Sequence, residues 1–267
     1  MSTQLIRIFS LVSLVLFQAC SYNVFFYNPV ADPALKIETN SNFHELSIIN
    51  KTGDTLSGVL LDPDPEITLK GTVLLIHGNS GNIDRWIDNA KYLYKQGYRV
   101  LVFDYQGYGK STGKPNHKNV VTDSELFLEY LYTRYGKVLL WGLSLGGNLS
   151  VDIAYRNPDK VKALIVEAGF TSHNQIARTK VSPIIKPLVI ISVKSPYKSK
   201  KIIEKLHIPV LIAHSPTDKV VPFKMGEVLY KNANEPKFFL ELHGDHCLGI
   251  QNNLNVYLQM IDKINGE

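Results

Sequence analysis

Residues 139–147 read Leu-Leu-Trp-Gly-Leu-Ser-Leu-Gly-Gly, and they restrict the fold more than any other stretch of the chain. An apolar run over residues 137–141 stops at Gly142. Ser144 follows inside a Gly-x-Ser-x-Gly pattern completed by Gly146, and helical character begins at once over residues 145–155. A strand that turns straight into a helix through this pattern predicts a nucleophile elbow. The bend is so sharp that a side chain two residues before or after the serine would strike neighbouring backbone. Ser144 is expected at strained backbone angles, its hydroxyl held out above the sheet edge, with the positive end of the following helix behind it. The strand–turn–helix context weighs against a glycine-rich turn that merely contains a serine.

The rest of the chain repeats the alternation. Residues 72–76, 98–103, 161–166, 208–213 and 238–242 are short buried-type strands. Between the first two, Ile83, Trp86, Ile87, Ala90, Leu93 and Tyr94 recur at helical spacing until Gly97. Val120, Phe127, Leu128 and Leu131 mark a helix ending near Gly136, and Leu254, Tyr257, Leu258, Ile261 and Ile264 describe a closing amphipathic helix. Ahead of these, residues 44–50 and 55–61 alternate about Lys51-Thr52-Gly53-Asp54, a hairpin signal. A hairpin followed by repeated βα units predicts an α/β fold: one mostly parallel sheet that starts with an antiparallel hairpin and carries helices on both faces. The 267 residues suffice for one such core.

The N-terminus reads differently. Arg7 precedes an uncharged apolar run over residues 8–17, followed by Gln18-Ala19-Cys20-Ser21. Roughly 20 apolar residues are needed to span a bilayer, so this run fits the core of a secretory signal instead. Residues 1–19 are expected to be a signal peptide. The place of Cys20 resembles the lipobox of bacterial lipoproteins, although Phe17 and Gln18 depart from its usual leucine and small residue. The resemblance implies lipid attachment at Cys20 and an exported, membrane-anchored protein of the bacterial cell envelope; an uncleaved anchor and a plain signal are the alternatives. Cys247 would then have no disulfide partner in the chain. Residues 20–43, with Pro29, Pro33 and several Asn, read as a tether, and residues 44–267 as the domain. The net charge of +5 comes without any nucleic-acid-binding motif, so nucleic acid is not an expected partner.

A serine hydroxyl needs a base to accept its proton and a third group to orient that base. In sheets of this kind such groups sit on loops at the carboxyl ends of strands. Asp218 follows the strand at 208–213 and His246 follows the strand at 238–242, which gives the order Ser144, Asp218, His246 expected of an α/β-hydrolase. His243 is the competing base and Glu167 the competing acid, while His214, at its strand terminus, reads as structural. Two backbone N–H groups are expected to bind the developing oxyanion, from Leu145 and from the loop His77-Gly78-Asn79-Ser80-Gly81-Asn82. Asn79 is the choice in that loop, Ser80 the second candidate, and His77 a loop-shaping hydrogen-bonder. Gly109-Lys110-Ser111-Thr112 ends like a phosphate-binding loop, but Asp104 stands where that motif requires glycine. With no metal-ligand spacing either, neither a metal nor a cofactor is expected.

Together, His77-Gly78-Asn79-Ser80-Gly81, the stretch from Phe103-Asp104-Tyr105 through Gly109-Lys110-Ser111, the serine turn, and the Asp218 and His246 segments resemble the α/β-hydrolase superfamily. Within it they resemble the serine aminopeptidase-like and depalmitoylase-like branch. That resemblance makes Asp104 and Ser111 loop-structuring residues and puts a short lid at about residues 169–205. Ser215-Pro216 departs from the glycine that relatives often carry after the histidine. Residues 168–203 contain no Asp or Glu, yet hold Arg178, Lys180, Lys186, Lys194, Lys198, Lys200 and Lys201 around an apolar stretch at 183–191. Such a lid either packs over the sheet with its lysines in water or rests on an anionic membrane surface. The expected function is cleavage of an acyl ester or thioester, the substrate being a small-molecule or lipid-like acyl compound. An aminopeptidase or amide hydrolase, or a non-catalytic binding protein, are the alternatives.

Overall fold

A computed structural model of the chain describes residues 26–32 and 42–266. The expected signal peptide and Cys20 lie outside the described residues. In chain order the strands are β1 (Asn28–Pro29), β2 (Phe43–Ile49), β3 (Thr55–Leu61), β4 (Gly71–Ile76), β5 (Ser80–Gly81), β6 (Tyr98–Phe103), β7 (Val138–Leu143), β8 (Val161–Glu167), β9 (Val210–His214) and β10 (Lys237–Glu241). The helices are α1 (Ile83–Tyr94), α2 (His117–Tyr135), α3 (Leu145–Arg156), α4 (His173–Thr179), α5 (Lys186–Ser192), α6 (Ser199–Ile203), α7 (Phe223–Asn232), α8 (Gly249–Asn252) and α9 (Leu254–Asn265).

Eight strands form one sheet in the order β10-β9-β8-β7-β4-β6-β3-β2. β2 and β3 pair antiparallel about a turn in which Asn50 Oδ1 accepts the N–H groups of Thr52 and Asp54. β3 is also antiparallel to β6, and the remaining pairs are parallel. Side chains of period two divide the core between the faces. Leu74 and Ile76 of β4 pack with Phe127 and Leu131 of α2 and Leu149 of α3. Val73 and Leu75 pack on the other side with Trp86 and Ala90 of α1 and Tyr257 and Ile261 of α9. Each aliphatic side chain so buried is worth about 1.5–3 kcal/mol over leaving it in water. Because β4, β7, β8, β9 and β10 run parallel, their carboxyl ends share one rim, and every residue assigned to chemistry follows one of those ends.

The structure adds what periodicity did not reveal. The lid region holds three short helices, α4 to α6, and α7 follows β9. Residues 26–32, assigned to the tether, are docked on the domain: Phe26 and Tyr27 are buried, and β1 pairs in parallel with β5 beside the sheet rim. Two prolines and scattered Asn conceal a docking segment that has only two residues of strand. No helix among the described residues is long and apolar enough to cross a membrane.

Candidate active site

The turn between β7 and α3 holds Ser144 at φ 57° and ψ −113°, a left-handed conformation that costs a non-glycine residue about 1–3 kcal/mol. Ser144 N–H donates to the Glu167 carbonyl at 2.9 Å. The flanking glycines are sterically required. A Cβ on Gly146 would stand 1.8 Å from the Ile76 carbonyl oxygen, and one on Gly142 would stand 2.4 Å from the Gly146 carbonyl oxygen. The strand β4, the turn and α3 can approach this closely only because those atoms are missing.

Ser144 Oγ donates to His246 Nε2 at 2.9 Å, and His246 Nδ1 donates to Asp218 Oδ2 at 2.7 Å. The three side chains, separated along the sequence, thus form one hydrogen-bonded chain over the rim. Burial alone would raise the Asp218 carboxyl, but hydrogen bonds from His214 and His246 and from the Val221 N–H outweigh it. They hold the group well below the usual carboxylate range. Its Oδ1 accepts the N–H groups of Val220 and Val221 at 2.7 and 2.9 Å. His214 Nε2 stands 3.4 Å from Asp218 Oδ2 and 3.0 Å from the Val221 carbonyl, so it braces the acid's loop. Gly226 makes room for that ring, since a Cβ there would come within 2.6 Å of His214 Nδ1.

The competing residues lie elsewhere. Glu167 is buried, which raises its carboxyl, and its oxygens accept Gly249 N–H at 2.9 Å and Tyr257 Oη–H at 2.7 Å. It therefore secures the segment after His246 from below. His243 is exposed, and its backbone is tied to Asn253.

Ser144 opens onto a pocket of about 140 Å³ lined by Phe26, Asn79, Leu145, Phe170, Ile176 and Lys180. Both residues expected to supply oxyanion donors thus share its wall. Leu145 N–H, in the first turn of α3, has no acceptor within its helix. The loop bearing Asn79 is fixed through three successive carbonyls. Tyr105 Oη donates to His77 O at 2.7 Å, His77 Nδ1 to Gly78 O at 2.7 Å, and Tyr108 Oη to Asn79 O at 2.8 Å. Burial lowers the His77 pKa to about 4, so the ring is neutral and its one proton serves Gly78. Asp104 accepts Ile83 N–H at 2.9 Å, and Ser111 Oγ donates to the Asp104 carbonyl at 2.8 Å, so both shape the loops around the rim. Sequence reasoning missed Tyr105, Tyr108 and Phe26, whose roles exist only in contacts distant along the chain. Among the described residues no group of His, Cys, Asp and Glu is arranged to hold a metal ion.

A mostly parallel eight-stranded sheet with helices on both faces and a serine on the β7–α3 turn has the architecture of an α/β-hydrolase. Residues 68–202, about half of the chain, match the family described as serine aminopeptidase, S33, and the chain belongs to that family. It is 28% identical over 223 residues to the protein bem46 of Schizosaccharomyces pombe, covering 79% of this chain and 74% of the relative. It is 30% identical over 182 residues to the lysophosphatidylserine lipase ABHD12 of Danio rerio, covering 62% of this chain but only 48% of that protein. The Pyrococcus furiosus esterase Pf2001 superposes with a TM-score of 0.67 over 88% of this chain and 98% of its own, at 17% identity, a likeness of fold.

Proposed function

We propose that this chain is a serine hydrolase that cleaves acyl esters or thioesters through an acyl-enzyme intermediate. In this reading Ser144 Oγ attacks the acyl carbon and passes its proton to His246 Nε2, while Asp218 holds the Nδ1–H tautomer and stabilises the imidazolium. The oxyanion takes hydrogen bonds from the N–H groups of Leu145 and Asn79. The alcohol or thiol leaves with the proton from His246. Water, deprotonated by the same imidazole, then releases the carboxylic acid and regenerates the serine. The observation that carries the reading is the hydrogen-bonded chain of 2.9 and 2.7 Å from Ser144 through His246 to Asp218.

The substrate class follows from the pocket and lid. Phe26, Leu145, Phe170 and Ile176 offer an apolar wall to an acyl chain, and Lys180 places a cation at its rim. The lid exposes Ile184 and Ile191 among basic residues only. A lipid-like acyl compound with an anionic head group, met at a membrane surface, fits these features, and one relative is named a lysophosphatidylserine lipase. Export and anchoring through a lipidated Cys20 would keep the domain beside such a surface.

The family's description favours a second reading, an aminopeptidase. Recognition of a substrate ammonium calls for acidic groups at the pocket, and the residues lining it include no Asp or Glu. Labelling with a fluorophosphonate tests the serine: the wild-type chain is labelled and Ser144→Ala is not. A panel of acyl esters, acyl thioesters and amino-acid arylamides then separates the readings. Turnover confined to the arylamides would transfer the assignment to the aminopeptidase, and an unlabelled wild type would remove the hydrolase altogether.

A further inference from the structure

Residues 26–32 read as tether in the sequence, yet they reach both the wall of the candidate pocket and the loop that bears Asn79. Phe26 and Tyr27 are buried, and Phe26 forms one wall of the pocket into which Ser144 opens. Its ring meets that of His173 edge-on at 4.6 Å, and Tyr27 Oη pairs with His117 Nδ1 at 2.7 Å. The chain then runs between two loops. Asn28 N–H donates to the Asn79 carbonyl at 2.9 Å, and β1 pairs in register with β5, Asn28 against Ser80 and Pro29 against Gly81. On its other side Val30 O accepts Gly109 N–H at 3.0 Å, and Asp32 N–H donates to Gly109 O at 3.2 Å.

These contacts bear on two separate kinetic quantities. The Asn79 carbonyl accepts from both Asn28 N–H and Tyr108 Oη, so the strap helps fix the peptides that flank Asn79. A donor held in place before the reaction stabilises the oxyanion without reorganising, so looser holding lowers kcat. Phe26 acts on the acyl chain instead. The pocket of about 140 Å³ is small beside the roughly 300–1,000 Å³ of an ordinary ligand cleft, so a phenyl ring at its wall decides how long a chain it seats.

We infer that residues 26–32 form a strap belonging to the active site, in which Phe26 sets acyl-chain selectivity and the Asn28 N–H positions the oxyanion loop. The inference rests on the serine-hydrolase reading and adds a specificity-determining residue and a positioning residue to it. If the chain is anchored just ahead of this segment, the same strap joins the anchor to the catalytic rim.

The test uses the full chain and p-nitrophenyl acetate, hexanoate and decanoate. Phe26→Ala is expected to shift the ratio of kcat/KM toward decanoate by about tenfold, the scale on which apolar pockets discriminate chain length. Phe26→Trp is expected to shift it toward acetate. Asn28→Pro removes the N–H and is expected to lower kcat for all three esters by about tenfold with KM nearly constant. Asn28→Ala keeps the N–H and recovers kcat. Fluorophosphonate labelling of Ser144 is read in every variant. A labelled Phe26→Ala with an unaltered chain-length profile overturns the selectivity role. A labelled Asn28→Pro whose kcat matches that of Asn28→Ala overturns the positioning role. An unlabelled wild type instead sinks the hydrolase reading beneath both. A merely structural strap would depress all substrates of Phe26→Ala alike and leave the ratio where it was.

Discussion

Two carboxyls near the rim, Asp218 and Asp104, are both buried yet shifted in opposite directions. Asp218 stays ionised despite burial because it collects two backbone N–H groups and two imidazoles. Replacing it by Asn keeps the shape but offers His246 Nδ1 a donor where it needs an acceptor, which selects the wrong tautomer. Asp218→Asn is expected to lower kcat for a soluble ester by about 10⁴-fold with the fold intact, as measured by steady-state kinetics beside thermal unfolding. Asp104 is the opposite case. Burial raises its carboxyl from 3.8 to about 8, the nearby Asp84 pushes in the same direction, and the Ile83 N–H only partly offsets them. His77 Nε2, 3.8 Å away, is neutral above about 4, where burial has moved its pKa. Between 3.8 and about 8 the folded state therefore holds a proton on Asp104 that the unfolded chain has released. Stability contributed at this site falls as pH rises through that window and levels off above it, by at most about 1.4 kcal/mol per pH unit. Asp104→Asn has nothing to titrate there. Chemical denaturation at several pH values is expected to show the variant gaining on the wild type up to pH 8 and no further. A constant difference across the range would mean that Asp104 is already ionised at low pH.

At the scale of elements, the part of the fold legible in the sequence is the part written in short range. The β7–turn–α3 unit needs only neighbours: an apolar run, glycines two residues either side of a serine, and a helix. The strands of the parallel sheet showed themselves as apolar runs, and the loops after their carboxyl ends gave Asp218 and His246 an address before any coordinates. What could not be read is written at long range. The β1–β5 pairing joins residues 28–29 to 80–81, and the clamps from Tyr105 and Tyr108 reach back to His77 and Asn79. In the sequence those tyrosines belong to a glycine-rich loop, with nothing to say that its hydroxyls serve another loop's carbonyls. Three lid helices of seven residues or fewer are likewise too short to leave a helical period. The tight turn carries its own prediction. Gly146→Ala forces a Cβ into the β4 backbone, which cannot move without breaking the sheet, and is expected to cost roughly 3 kcal/mol or more. Gly71→Ala on β4, where the new Cβ would meet Leu139 Cδ1 at an ordinary 3.5 Å, is the comparison and should cost far less. Equal unfolding midpoints for the two variants would refute the steric account of the elbow.

At the scale of the whole molecule, the lid joins basic charge to strongly exposed apolar side chains beside the pocket. Residues 168–203 carry seven basic side chains and no acidic one, and within them Ile184 is 90% and Ile191 80% exposed. Helix α5, which contains Ile191, has no fully buried residue, and only Val189 of its apolar side chains packs against the core. Lys180 belongs both to this basic field and to the pocket rim, which places the mouth of the site on the same face. Burying an isoleucine in a lipid surface is worth about 1.5–3 kcal/mol, and each lysine near an anionic leaflet adds about 1 kcal/mol. The two effects can be separated, because the first survives salt and the second is screened within about 10 Å at 0.1 M ionic strength. If the lid rests on an anionic membrane, the wild-type chain should hydrolyse an acyl ester presented in phosphatidylserine-containing vesicles at least tenfold faster than in phosphatidylcholine vesicles. The advantage should shrink as salt is added. Ile184→Asp combined with Ile191→Asp should lower turnover in both vesicle types while leaving p-nitrophenyl acetate hydrolysis near the wild-type rate, because neither side chain lines the pocket. Turnover that ignores both the vesicle charge and the two aspartates would leave the lid as a solvated cap, and its lysines as charges that only keep the protein in solution.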